Sequence, residues 1–172
     1  MKKISFLCFL LMNLSVSAQF LTAHVAVDGL TCSACSFVTQ KSLMQLPFIE
    51  DVQMDLNTHI ATLTFKNGSP VAMDRIAQKV VDAGFSVGGF TAEIYLKEVA
   101  VSDNFCFEYD GAIFHFIQTK ERNITGIATL TFIGKEFMNK KEFKRYKAAM
   151  TAVCASGDKD LKLTKTYFIT LK

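Results

Sequence analysis

Cys32 and Cys35 stand three positions apart in the stretch Asp28-Gly29-Leu30-Thr31-Cys32-Ser33-Ala34-Cys35. A short apolar, β-like run, His24-Val25-Ala26-Val27, leads into it, and a helix-like run from Ser33 to about Leu46 leads out. The thiols therefore sit where a strand hands over to a helix. The first N–H groups of a helix have no partner within it and carry partial positive charge. They favour a thiolate, the form that binds a soft metal or attacks a disulfide. Gly29 suits a sharp exit from the strand, and Thr31 is placed to cap the helix. By residue type alone the pair supports three chemistries: soft-metal binding, thiol–disulfide redox, or a structural Cys32–Cys35 disulfide.

The elements that must hold this loop follow from the chain's pattern. The helix after the thiols carries Phe37, Val38, Leu43, Met44 and Leu46, and Pro47 ends it. Ile49 to Leu56 is a second strand, Asn57-Thr58 a turn, and Ile60 to Phe65 a third strand. In that third strand Ile60, Thr62 and Thr64 take one face and Ala61, Leu63 and Phe65 the other. Ala72 to Ala83 is amphipathic at helical period, with Ile76, Ala77, Val80 and Val81 inward, and Gly84 closes it. Phe85 to Leu96 is the last strand of this half, with Gly88-Gly89 suited to a bulge. The order βαββαβ is the ferredoxin-like motif. In that topology the thiol loop, the hairpin tip at Thr58-His59 and the turn at Phe85 share one end of the sheet. Phe85 is then the residue placed to cover the loop. His59 could add a third ligand for a harder ion, while His24 falls at the far end of its strand.

At these residues the chain resembles the heavy-metal-associated domain family. Gly29-Leu30-Thr31-Cys32-Ser33-Ala34-Cys35 is similar to the family's G-M-T-C-x-x-C metal loop. Leu43, Leu46 and Pro47, the segments Met54–Asn57 and Ala61–Phe65, and Ile76-Ala77, Val80 and Ala83-Gly84-Phe85 fall at family spacings. The likeness covers about Ala23 to Leu96. It departs at Leu30, where the family usually has Met, and at Thr39, where a buried Val or Ile is usual and a hydroxyl in the core would cost stability. The resemblance implies a carrier or sensor of a soft ion held by Cys32 and Cys35. Two thiolates suffice for Cu(I), the first expectation, and Hg(II) would also fit. Zn(II) prefers four ligands, of which this loop offers two, and ranks behind them. An open two-thiolate site also implies a partner that gives or takes the ion, such as a metal-transporting ATPase or an efflux component. The redox alternative keeps the helix-terminus argument, although no aromatic residue directly precedes Cys32.

The chain begins as an exported protein does. Lys2-Lys3, the apolar run Ile4 to Leu14 and the small residues Val16-Ser17-Ala18 make a bacterial-type signal peptide over residues 1–18. The run is too short for the ~20 residues that span a bilayer, so cleavage would leave no membrane anchor and a periplasmic or secreted chain. The whole chain carries 19 basic and 16 acidic residues; without Lys2 and Lys3 the balance is 17 against 16. Such near-neutrality gives no electrostatic case for nucleic acid. There is no nucleophile–base pair and no phosphate loop, so no enzyme is expected.

From about residue 98 the character changes. Residues 19–97 carry 5 basic and 7 acidic residues, residues 98–172 carry 12 and 9. Strands are expected at Phe105–Tyr109, Ile113–Ile117, Ile124–Ile133 and Thr166–Leu171, with a basic helix over Glu136–Met150. The order βββαβ suits a small α+β unit or an OB-like, partly closed barrel. Cys106 and Cys154 would pair as a disulfide in an oxidising compartment; the competing reading is a second metal site with His115. The chain as a whole is therefore expected to be α+β: a signal peptide, a ferredoxin-like metal-binding domain at 19–97, and a β-rich domain with one helix at 98–172.

Overall fold

The computed structural model describes residues 20–151, 154 and 165–171; the expected signal peptide lies outside them. In chain order the elements are β1 (Phe20–Asp28), α1 (Ser33–Leu43), β2 (Ile49–Asp55), β3 (Ile60–Phe65), α2 (Met73–Asp82), β4 (Ser86–Val101), β5 (Cys106–Tyr109), β6 (Ala112–Phe116), β7 (Arg122–Ile133), α3 (Lys140–Tyr146) and β8 (Lys165–Leu171). The strands form one sheet in the order β2-β3-β1-β4-β7-β8-β6-β5. Neighbours among its first four members are all antiparallel, and α1 joins β1 to β2 and α2 joins β3 to β4, each across one intervening strand, which is the ferredoxin-like arrangement.

Alternation decides which residues of this part face the helices. Ala23, Val25 and Val27 of β1 and Ala61, Leu63 and Phe65 of β3 are buried, while their neighbours Thr22, His24, Thr62 and Thr64 line the other face. Helix α2 contributes Met73, Ile76, Ala77 and Val80 at helical spacing. Val81, expected inward, is exposed, because it lies about 100° round the helix from Val80. On α1 the buried positions are Ser36, Thr39 and Leu43, and the larger Phe37, Val38 and Met44 face out. The helix is tied down by polar contacts: Gln40 Nε2 donates to the carbonyl of Val52 (2.6 Å) and Ser42 Oγ to that of Lys79 (3.0 Å). The bulge expected at Gly88-Gly89 is present as a register shift opposite Ala26-Val27. A Cβ on Gly88 would collide with the Asp28 carboxylate.

The change of composition at 97/98 falls within β4. That strand continues through it with a register shift against β7 between Leu96 and Val99, and Glu98 there has φ +53°. The seam is a bulge inside a shared strand. The later strands extend the same sheet and do not form the separate OB-like barrel: β7 pairs with β4, β8 with β7, and β6 runs parallel to β8. The sheet is nevertheless strongly curled. Phe20 on β1 meets Tyr109 on β5 edge to face at 5.2 Å, although a flat sheet would part these strands by about 24 Å. The hollow of the curl is filled by Phe90, Phe114, Phe132, Phe137 and Tyr167, which meet through ring contacts of 5.1 to 6.2 Å.

Helix α3 is shorter than the basic pattern suggested. Asn139 caps it, its Oδ1 accepting from the N–H groups of Lys141 (3.1 Å) and Glu142 (3.0 Å), so the helix cannot begin at Glu136. Lys140, Lys141, Lys144, Arg145 and Lys147 are exposed, the ordinary solvated face of an amphipathic helix.

Candidate metal centre

The thiol loop begins at the end of β1. Gly29 turns the chain with φ +94°, a conformation that costs an L residue strain. Leu30 drops into the core at 4 % exposure and anchors the loop from below. Thr31, Cys32, Ser33 and Ala34 then stand exposed, with Cys35 half-buried on the first turn of α1.

The cap of α1 is Cys32 itself and not Thr31. Its backbone is extended (φ −155°, ψ 161°), and its sulfur accepts from the N–H of Cys35 at 3.4 Å. The two sulfurs are 2.9 Å apart and both are free thiols. The hydrogen bond from Cys32 is the main influence that draws the Cys35 thiol below its ordinary value; partial desolvation opposes it, and contacts with Thr31 add to the lowering. Once one proton has left, the other can be shared between the two sulfurs at the helix start, and the pair then carries thiolate character. That state can ligate a soft ion, and it can also attack a disulfide.

The two other turns arrive as the topology requires. The hairpin tip is joined to the end of β1 by the N–H of Val27 donating to the carbonyl of His59 at 2.9 Å. Phe85 lies over the loop: a Cβ on Gly29 would sit 3.7 Å from its ring. Phe85 and Cys35 both pack against the buried core, so the loop rests on a hydrophobic floor. His59 does not join the thiols as a ligand set; among the described residues the three-residue cluster with metal-ligand chemistry is Cys106, His115 and Cys154. His24 faces away on the open side of the sheet, its Nδ1 3.2 Å from Thr62 Oγ1.

Thr39 and Asp74 carry contacts that the sequence pattern did not disclose. Thr39, fully buried, donates its hydroxyl to the carbonyl of Cys35 at 3.1 Å. Asp74, at the start of α2, accepts from Tyr167 Oη (2.6 Å) and pairs with Lys165 Nζ (2.6 Å), both on β8. Asp74 and its partners on β8 lie far apart in sequence, which gives no local signal of their contact, while the Thr39 bond spans one turn of its own helix and depends only on the hydroxyl's rotamer. The pairing of Cys106 with Cys154 is present, with Cα atoms 5.6 Å apart.

Residues 24–86 match the family model of the heavy-metal-associated domain, and this segment of the chain is such a domain. The mercuric transport protein periplasmic component of Pseudomonas aeruginosa is 27 % identical over 64 residues, covering 37 % of this chain and 69 % of the relative. Among solved structures, the yeast copper transporter domain Ccc2a is 31 % identical, covering 37 % of this chain and 86 % of that one, with a TM-score of 0.34. Oxidized MerP from Ralstonia metallidurans CH34 is 27 % identical, covering 40 % and 97 %, with a TM-score of 0.36.

Proposed function

We propose that the protein carries or senses one soft metal ion, Cu(I) in the first place and Hg(II) as the second fit, through Cys32 and Cys35. The observation that carries this reading is the pair of free sulfurs 2.9 Å apart at the start of α1, one exposed and one half-buried, within a heavy-metal-associated domain. Both ions accept low coordination by sulfur, and Zn(II) would need ligands from elsewhere. The chemistry of relatives named for mercuric transport and copper supports the choice. Exposure of Cys32 leaves one side of the ion open. A partner's thiols can enter there, so the site suits transfer to or from a metal-pumping or efflux protein more than storage. Export through the signal-like segment 1–18 would put that exchange outside the cytoplasm. The competing use of the same thiols is disulfide exchange, which the short sulfur–sulfur distance also favours.

The test is Cu(I) competition against a chromogenic chelator, on the reduced chain lacking residues 1–18 and on its Cys32→Ser/Cys35→Ser variant. One equivalent held by the parent and lost by the variant is the expected result. Equal binding by both, or turnover of the parent in a disulfide-reductase assay without metal uptake, would overturn the reading.

A further inference from the structure

We propose that the Cys106–Cys154 disulfide masks a second metal site, and that on its reduction the two sulfurs and the imidazole of His115 hold one thiophilic d10 ion. This site is separate from the loop of Cys32 and Cys35 and does not depend on the function assigned to that loop. In the order of the sheet, β4, β7 and β8 lie between β1, which leads into that loop, and β6, which carries His115.

The geometry rests on the ladder. Cys106 and His115 are direct cross-strand partners in the β5–β6 pair, so their side chains leave the sheet side by side on one face. One ligand atom from each of Cys106, His115 and Cys154 lies within 4.8 Å of the other two. Around an ion with bonds of about 2.3 Å to sulfur and 2.0 Å to nitrogen, such atoms would stand roughly 3.5 Å apart. Two of the three are therefore fixed by hydrogen-bonded strands. The third, Cys154, lies outside the strands, between α3 and β8.

His115 is an unusual residue for its place. It is 2 % exposed in the otherwise apolar strand Ala112–Phe116. Its ring packs on Phe168 at 5.2 Å, and its Nε2 is 3.4 Å from Asn104 Oδ1. An amide oxygen only accepts, so Nε2 is the donor of that pair, and the other ring nitrogen keeps its lone pair. An outer carbonyl that orients a histidine in this way is the ordinary support of a metal ligand.

The redox step balances simply. A dithiol reductant of the thioredoxin type gives two electrons and two protons to the S–S bond and leaves as its own disulfide. Cys106 and Cys154 become thiols, and the ion displaces their protons as it binds. Cys154 is half-buried and is the sulfur of the pair that a reductant can approach. The disulfide ties Cys154 to β5, and Ala149 and Met150, ahead of it in the chain, pack with Ile117, Ile133 and Phe168. An ion in its place restores that tether under reducing conditions.

The experiment uses the full chain lacking residues 1–18 with Cys32→Ser/Cys35→Ser, so the first loop contributes nothing. The protein is reduced with a phosphine, freed of reductant without oxygen, and titrated with Co(II) as a spectroscopic probe, then with Zn(II) in competition. The expected result is one Co(II) per reduced chain, with thiolate-to-cobalt charge transfer, and none for the oxidised chain. His115→Phe, which keeps a buried ring against Phe168, should weaken binding by about tenfold or more while still forming the disulfide on oxidation. If the reduced chain loses its circular-dichroism signal, Co(II) must restore it. Uptake no greater than in the oxidised chain, a His115→Phe variant that binds as tightly, or an unfolded reduced chain that the ion fails to recover would each overturn the proposal.

Discussion

The hydroxyl of Thr39 donates to the carbonyl of Cys35 at 3.1 Å, one helical turn back, and so joins the core of α1 to a residue of the thiol loop. The position is fully buried, and an unpartnered hydroxyl there would cost roughly 1–3 kcal/mol. Partnered within its own helix, it costs little of that. Thr39→Val replaces one β-branched side chain by another of similar size and removes donor and desolvation cost together. Its unfolding free energy should stay within about 1 kcal/mol of the parent in urea denaturation. Cu(I) affinity should be unchanged, because the sulfur positions are set by Gly29, Leu30 and the helix start. A tenfold change in affinity would show that this bond orients Cys35.

The lowered Cys35 thiol makes a pH prediction. Reaction of the reduced loop with iodoacetamide should rise with pH along a curve whose midpoint lies below the ordinary thiol value of 9.0. Cys32→Ala removes the main cause, the hydrogen bond from Cys32, and should move the midpoint for Cys35 upward. If the parent and variant curves coincide, the lowering comes from the helix start alone.

Much of the thiol loop was legible in the sequence because its parts are local. The spacing of Cys32 and Cys35, Gly29 ahead of them and a helical run behind them are contiguous, and the bulge at Gly88 announces itself through paired glycines. Phe85 could be placed over the loop because the βαββαβ order fixes which turns share an end. Side-chain preference favours Thr31 as the cap, and only the backbone conformation of Cys32 reveals its sulfur as the acceptor. The second half was legible as strands but not as an assembly. Nothing local says that β7 will pair with β4, or that Phe20 will meet Tyr109. Those contacts are settled by where long-range burial is greatest, and the extension of β4 to Val101 hides the seam that composition marks.

Gly88 and Asp28 provide a test of how tightly the loop's entrance is built. A Cβ at Gly88 would overlap the Asp28 carboxylate, the last residue of β1 before Gly29. Gly88→Ala should destabilise the fold by about 1–3 kcal/mol, the usual cost of overpacking, and should weaken Cu(I) binding by shifting the strand end. The Asp28→Gly/Gly88→Ala double variant relieves the overlap and should recover much of the lost stability in thermal unfolding. No recovery would mean that the bulge itself requires glycine.

Asp74 ties helix α2 to strand β8 through Lys165 and Tyr167, and it makes stability depend on pH at both ends. Burial raises its pKa, but the hydrogen bonds from Lys165 and Tyr167 outweigh that and leave the carboxyl below its ordinary value of 3.8. A carboxylate held lower in the folded chain than in the unfolded one stabilises the fold above the unfolded value. That contribution is lost as pH falls through the folded value. Tyr167 is shifted the opposite way, raised above its ordinary value of 10.0 by burial and by its bond to Asp74. A raised phenol is stabilising below the unfolded value and loses that contribution as pH climbs above it. Asp74→Asn should therefore flatten the acid limb of a stability-against-pH curve below pH 4, and Tyr167→Phe the alkaline limb above pH 10. Tyr109, raised to about 12 by burial and by Asp110, keeps a residual alkaline slope in the second variant. Chemical denaturation across pH measures both limbs. An acid limb as steep in Asp74→Asn as in the parent would show that the contact with Lys165 and Tyr167 of β8 does not hold the Asp74 carboxyl below its ordinary value.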